Sequence, residues 1–281
     1  MITFAPIQFD EPALAQYGAL FAQCFPGATR FTPDYLAWQY LHNPDGRAVG
    51  FDAWEGDVLA AHYVCLPALV QVDGRAVRVL LSLNTATAPA FQGQGLFTRL
   101  AALTYDAGAA LGYDGVYGVA NGNSTPGFVR KLGFQLVRPL EAMVGVGTLG
   151  TGAMPGQLSF QRSWTRETLH WRCASPYNPV RCRRRGSLWQ FHAPALGRHV
   201  PAYAELALAD GVAPAATAGV PPLRLFIGLV PDAARGLATF ASIPRRLRPS
   251  PLNLIYRSFT QRVTHIDPRA VAFTFLDFDA Y

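Results

Sequence analysis

Lysine is almost missing from this 281-residue chain: Lys131 is the only one among 24 Lys and Arg residues. Charge is scarce too, at 15% of residues against roughly 25% in typical soluble domains, while half the residues are hydrophobic. That balance excludes an intrinsically disordered chain, which needs little hydrophobicity and much charge. No apolar run approaches the ~18 residues of a membrane span; the blandest stretch, Leu206 to Leu223, is broken by Asp210, two glycines and three prolines. Glycine and proline follow no period, which excludes collagen. The four cysteines, Cys24, Cys65, Cys173 and Cys182, form no CxxC and no Cys/His group with zinc spacing, so no metal is expected. The N-terminus has no basic segment followed by an apolar one, so no secretory signal is read. A cytoplasmic protein with reduced thiols is the expectation. The net charge of +6 is a mild excess that suits an anionic ligand.

The first half reads as alternating strands and helices. Ile2 to Ile7 is a strand, and residues 10–25 are helical, with apolar residues at helical spacing through Leu14, Tyr17, Leu20 and Phe21. Thr32-Pro33-Asp34 opens a second helix that stops before the turn Asn43-Pro44-Asp45-Gly46. Strands follow near 48–54, 58–71 and 76–88, with hairpin turns at Glu55-Gly56-Asp57 and Asp73-Gly74. A glycine-rich turn at 91–97 leads into a helix over about 96–111. A strand at 115–119, a helix at 124–132 ended by Gly133, and one strand within 134–146 complete the pattern. Residues 147–156 read as a linker. Beyond it, Leu169-His170-Trp171-Arg172 echoes Leu36-Ala37-Trp38-Gln39. Each follows Thr-x-[Asp/Glu] and precedes Asn-Pro, which suggests a diverged internal repeat that lacks the glycine turn. Chance similarity is the competing reading.

Glycines between a strand and a helix let backbone N–H groups converge on an anion at the positive end of the helix. No Lys-Ser/Thr pair follows these glycines, so the turn is not a P-loop, and Thr98 stands where a dinucleotide fingerprint needs its third glycine. The segment from Thr85 through Pro89, Gln92, Gly93 and Gly95 to Leu100 resembles the signature of the GNAT superfamily of acyl-CoA N-acyltransferases: a strand, a Pro-containing turn, then [Gln/Arg]-x-x-Gly-x-[Gly/Ala] opening a helix. Val116-Tyr-Gly-Val-Ala-Asn121 and Phe128-Val-Arg-Lys-Leu-Gly-Phe134 resemble the family's next strand and its Lys-Leu-Gly-Phe helix ending, in the same order. The Trp38-Gln-Tyr40 stretch with Asn43-Pro44 resembles members that acylate amino sugars or other small molecules. Phe97 departs from the family's small sixth residue.

The resemblance implies an α/β (α+β) fold with a mixed, largely antiparallel sheet flanked by helices. The expected organisation is an acyl-CoA-binding domain at 1–147 and a C-terminal domain at 157–281, which is either a degenerate GNAT-like half shaping the acceptor site or a substrate-side domain packed on the first. It implies acyl-CoA as co-substrate and direct attack by an amine. The CoA pyrophosphate would sit on backbone N–H groups of Gln92, Gly93, Gln94, Gly95, Leu96 and Phe97, with the Thr98 hydroxyl alongside. Thr85, Ala86 and Thr87 would pair with the pantetheine arm, one N–H holding the oxyanion, and Asn121 or Asn123 would lie near the sulfur. Asn84 stands where many members carry a general-base Glu, and Val129 where many carry an acidic Tyr. His62, Tyr40 and Tyr117 are the replacement candidates, each with core packing as the competing reading. A site without a strong base suits an amine that is partly neutral, such as a sugar amine with pKa near ~8, better than a lysine at about 10.4.

The leading acceptor is therefore a small-molecule amine, in particular a nucleotide-linked amino sugar. Trp38 is a candidate for binding it, and Arg183 and Arg184 in the run Arg181 to Arg185 are candidates for its phosphates. A peptide or protein N-terminus as acceptor, and a non-catalytic CoA-binding module, stay open. Nucleic acid lacks a recognisable module and is not expected.

Overall fold

Asp10 accepts the backbone N–H of Ala13 at 3.0 Å and starts α1 (Glu11–Cys24). Thr32 does the same for Tyr35 at 3.3 Å and starts α2 (Pro33–Tyr40). Both helices carry Pro in the first turn, where a missing N–H costs nothing. The computed structural model describes residues 1–149, 157–217, 219, 221–232, 239–248, 250–260 and 262–278. Most of the linker expected at 147–156 lies outside the described residues.

β1 (Ile2–Pro6), β2 (Val49–Glu55), β3 (Val58–Val72) and β4 (Arg75–Thr87) form an antiparallel run, close to the limits expected from the turns. From Ala61 onward the buried residues of β3 alternate between two faces. Val64, Leu66, Ala68 and Val70 face α1 and α2, where Tyr17, Phe21, Leu36 and Tyr40 are buried. Ala61, Tyr63 and Cys65 face the opposite side against α3 (Leu96–Ala110), through Leu100, Ala101 and Tyr105. Burial on both faces accounts for the long apolar run of β3, which only His62 and Gln71 interrupt.

β5 (Gly115–Asn121) runs parallel to β4, the crossover being α3. α4 (Thr125–Leu132) ends on Gly133 in the left-handed region at φ +69°, as its Lys-Leu-Gly ending requires. The single strand expected within 134–146 is instead two, β6 (Gln135–Pro139) and β7 (Glu141–Gly145). Pro139 has no N–H to continue a ladder, and Leu140 turns its own N–H to Leu252 O at 2.7 Å.

β6 and β7 then join different sheets. The second half supplies β8 (Gln161–Arg162), α5 (Arg166–Cys173), β9 (Arg181–Arg185), β10 (Leu188–Ala195), β11 (Gly197–Ala207), β12 (Arg224–Gly228), β13 (Phe240–Ser242) and β14 (Leu252–Ser258). The first sheet has the order β1-β2-β3-β4-β5-β14-β6, with β8 on β3. The second has the order β13-β7-β12-β11-β10-β9. Each sheet draws strands from both sides of the 147–157 segment: β14 inserts between β5 and β6, and β7 between β12 and β13.

The pairing schemes match. In both sheets an antiparallel run, of four strands in the first and three in the second, is followed by a parallel neighbour (β5 on β4, β12 on β11) and then by an antiparallel strand from the other half. α5 is capped by Thr165 as α2 is by Thr32. Trp38 and Trp171 meet face to face, ring centroids 4.7 Å apart, and each indole N–H donates to the other's backbone carbonyl, at 3.2 and 3.0 Å. Asn43 donates to Pro67 O on β3, and Asn178 donates to Pro194 O on β10.

Candidate active site

The parallel pairing of β4 and β5 stops at Ser82 opposite Gly118. Beyond it the strands part, and a cavity of about 610 Å³ opens, lined by Leu83, Asn84 and Thr85 from β4, Val119 and Asn121 from β5, and Phe97 from α3. Phe25, Arg30, Asn123, Gly127 and Phe278 also line it. Where the strands part, β4 carries a bulge. Leu83 pairs with Val64 and Ala86 with His62, so Asn84 and Thr85 together oppose Tyr63. Asn84 takes the left-handed conformation at φ +46°, which asparagine tolerates better than most residues. A bulge of this kind re-aims a side chain and withdraws backbone groups from the ladder.

At the other end lies the glycine turn. Gly93 and Gly95 have φ of +78° and +75°, and a Cβ on either would meet nothing within 4 Å. Backbone conformation, not crowding, thus demands glycine there. Gly95 is the N-cap of α3, so the first N–H groups of the helix point outward into the exposed turn. Gln92 differs from the expectation in part: its N–H turns inward to Pro89 O at 3.4 Å, and its side chain donates to Thr87 O at 3.4 Å, tying the turn to β4. Leu96 is buried in the core, so only its backbone can serve a ligand. Phe97, the departure from the signature, is housed by Gly127, whose Cβ would come 3.2 Å from the Phe97 ring. Thr98 sits half-buried in the first turn of α3.

Asn121 shapes the β5–α4 turn. Its Oδ1 accepts the N–H groups of Asn123 and Ser124 at 3.0 and 2.9 Å. Thr85, Asn121 and Asn123 all border the cavity; Ala86 is buried under α1 and α2, and Thr87 offers its carbonyl to the Cys24 thiol at 3.3 Å.

Three of the four catalytic candidates come together. Asn84 Nδ2 donates to Tyr40 Oη at 3.1 Å, Tyr40 Oη lies 3.0 Å from His62 Nε2, and His62 Nδ1 lies 2.7 Å from Asp52 Oδ1. Tyr17 donates to the other Asp52 oxygen at 2.8 Å. Asp52, His62, Tyr17 and Tyr40 are fully buried. Burial is the main cause that pushes the Tyr40 hydroxyl well above its ordinary range, so it stays protonated. Asp52 and Tyr17 were not candidates from sequence. Counted from the turn, a regular hairpin pairs Asp52 with Ala61; an irregularity between Ala53 and Trp54 shifts the register by one and brings Asp52 opposite His62.

The remaining candidates lie elsewhere. Tyr117 points into the core and donates to Asp277 O at 2.9 Å. It shares a face of β5 with Val119 but lies two residues further from the opening, opposite Leu81 where the strands are still paired, so it does not line the cavity. Trp38 is engaged with Trp171 instead of the cavity. Arg183 and Arg184 lie on β9, the edge of the second sheet farthest from β7 in strand order, bonded to Gln190 and Gly186. Among the described residues no group of His, Cys, Asp or Glu is placed to hold a metal ion, all four cysteines are free thiols, and no helix is long and apolar enough to cross a membrane.

A splayed parallel pair, a bulge facing it and a helix-opening glycine turn define the class of acyl-CoA-dependent N-acyltransferases, and residues 8–137 match the acetyltransferase (GNAT) domain family. That stretch, a little under half of the chain, is a GNAT acetyltransferase domain. Similar solved structures include a GCN5-related N-acetyltransferase from Anabaena variabilis (TM-score 0.59, 11% identity, covering 90% of this chain and 72% of that one). Eis1 from Mycobacterium abscessus aligns with TM-score 0.55 at 11% identity, over 90% of this chain and 73% of its own. A probable N-acyltransferase of unknown function from Enterococcus faecalis aligns with TM-score 0.55 at 9% identity, over 92% and 73%. These likenesses extend over both sheets and concern the fold. No curated protein matches the chain in sequence.

Proposed function

We propose that this protein moves an acyl group from acyl-CoA to a primary amine of a small molecule by direct attack, with amino sugars as the leading acceptor class. The observation that carries the reading is the cavity between the parted ends of β4 and β5, with Asn84 on its wall and the open glycine turn at the start of α3. N–H groups of Gly93 to Phe97 fit the pyrophosphate, and the bulge at Asn84 and Thr85 offers backbone to the pantetheine arm and to the developing oxyanion.

No Asp, Glu, His or Lys lines this cavity among the described residues. The acceptor must then arrive largely neutral, which favours an amine of pKa near ~8 over one at about 10.4. A nucleotide link on the sugar would need phosphate contacts other than Arg183 and Arg184. The matched pairing schemes and the reciprocal tryptophans support reading the second sheet as a diverged copy of the first, without the phosphate turn.

The test is thermal unfolding with acetyl-CoA, followed by turnover with amines of graded pKa. Acetyl-CoA at about 100 times its dissociation constant stabilises the fold by roughly 2.7 kcal/mol, a clear rise in Tm. No shift with acetyl-CoA, CoA or longer acyl-CoAs would remove the enzyme reading. Faster turnover of lysine-like than of sugar-like amines at about pH 7.5 would remove the acceptor class.

A further inference from the structure

The buried chain behind the cavity has a fixed hydrogen-bond direction. Asp52 as a carboxylate only accepts: Tyr17 Oη donates to Oδ2, and His62 Nδ1 therefore brings the proton to Oδ1. With its proton on Nδ1, neutral His62 presents Nε2 as an acceptor, and the Tyr40 hydroxyl spends its one proton there. Tyr40 Oη is then left to accept, and it accepts from the side-chain amide of Asn84. The second amide proton of Asn84 goes to Gln39 Oε1 at 2.5 Å, and Gln39 in turn donates to Tyr35. Both protons of the Asn84 amide point inward. Its Oδ1 has no donor and is not buried, so it faces the cavity as a bare acceptor.

We infer that Asn84 Oδ1 holds the nucleophilic nitrogen of the acceptor by one N–H, and that Asp52, His62 and Tyr40 are positioning residues that lock the amide this way round. The inference rests on the acyl-transfer reading above. An amide that could flip would present an NH₂ to the incoming amine and repel it; the inward chain makes the flip cost two hydrogen bonds. In the reaction the nitrogen lone pair attacks the thioester carbon, the C–N bond forms as the C–S bond breaks, and CoA leaves as its thiolate. The surplus proton on nitrogen passes to water, because an amide oxygen cannot keep it at neutral pH. Asn84 therefore orients and does not deprotonate, which is consistent with a cavity wall that carries no base.

Two measurements test this. In protein labelled with ¹⁵N-histidine, one of the six histidines should show the Nδ1–H tautomer with Nε2 as an unprotonated acceptor, and that signature should change in Tyr40→Phe. An Nε2–H or doubly protonated His62 would overturn the assignment, since Tyr40 would then have to donate towards Asn84. In steady state with acetyl-CoA and with glucosamine and benzylamine as probe amines, Asn84→Ala should lower kcat/KM for the amine about tenfold while acetyl-CoA affinity stays within about twofold. Tyr40→Phe should lose about threefold or more, and the double variant should be no worse than Asn84→Ala alone, because both act on one acceptor atom. Unchanged kcat/KM in Asn84→Ala, or additive losses in the double variant, would refute the role. If neither amine is turned over, the His62 tautomer decides. Absence of acetyl-CoA binding in the unaltered protein would count against the acyl-transfer reading instead.

Discussion

Truncating Trp171 to alanine tests how the two sheets are held together. The substitution removes a ring stacked at 4.7 Å on Trp38 and the bond from its indole N–H to Trp38 O. Removing a fully buried tryptophan costs about 3–5 kcal/mol. Trp38 and Trp171 are only half-buried, so the low end applies, about 3 kcal/mol including about 1 for the hydrogen bond. At roughly 2–4 °C per kcal/mol for a chain of this size, Tm should fall by about 6–12 °C. Trp171→Phe keeps most of the stacking and should lose about 1 kcal/mol. Trp38→Ala with Trp171→Ala should cost less than the sum of the singles by about 0.5–1.5 kcal/mol, the coupling of an aromatic pair. Urea unfolding of the four variants with the unaltered protein measures all of this. Since neither ring lines the cavity, acetyl-CoA affinity of the folded variants should be unchanged. A Tm within about 2 °C of the original in Trp171→Ala, or strictly additive losses, would refute the reasoning.

Asp277 is fully buried, and burial pushes its carboxyl up to about 6 against the nearby Arg162 and Arg172 and the bonds from Thr274, which oppose the shift. The folded state then keeps a proton that the unfolded chain releases near pH 4, so this group's contribution falls as pH rises from about 4 to 6, by up to about 3 kcal/mol. Asp277→Asn should remove that slope in denaturant unfolding measured between pH 4 and 7; parallel curves for the two proteins would rule it out. Because an added Cβ meets nothing, Gly95→Ala should cost only the left-handed backbone, about 1 kcal/mol, and Gly95→Asn less, since asparagine tolerates that conformation better. Both should weaken acetyl-CoA binding if the turn cradles the pyrophosphate; equal affinity in isothermal titration would argue that the ligand lies elsewhere. Gly127→Val should drive the Phe97 ring into the cavity and raise the KM for acyl-CoA several-fold with little loss of Tm, and an unchanged KM would show that the ring does not border the acyl-CoA path.

Much of this was legible in the chain because it depends on neighbours in sequence. The glycine turn, the Thr-Pro helix starts, the Lys-Leu-Gly end of α4 and the hairpins from Glu55-Gly56-Asp57 and Asp73-Gly74 are local signals, and each falls where the structure has it. The grouping of Asn84, Tyr40 and His62 as candidates came from missing family residues, and the structure brings the three into contact. Tyr117, Trp38, Arg183 and Arg184 lie away from the cavity, because a residue type indicates chemistry but not the depth along a strand or the partner across the core.

The chain alone thus determined where the glycine turn falls, since a turn that demands left-handed glycines before a helix is set by backbone conformation within a few residues. Tertiary structure decided what stands behind that site. A one-residue bulge at Ala60 in β3 brought His62 opposite Asp52, and the bulge in β4 turned Asn84 towards Tyr40. It also decided the exchange of β7 and β14 between sheets, because strand pairing is satisfied by whichever edge the folded halves present, at any distance along the chain.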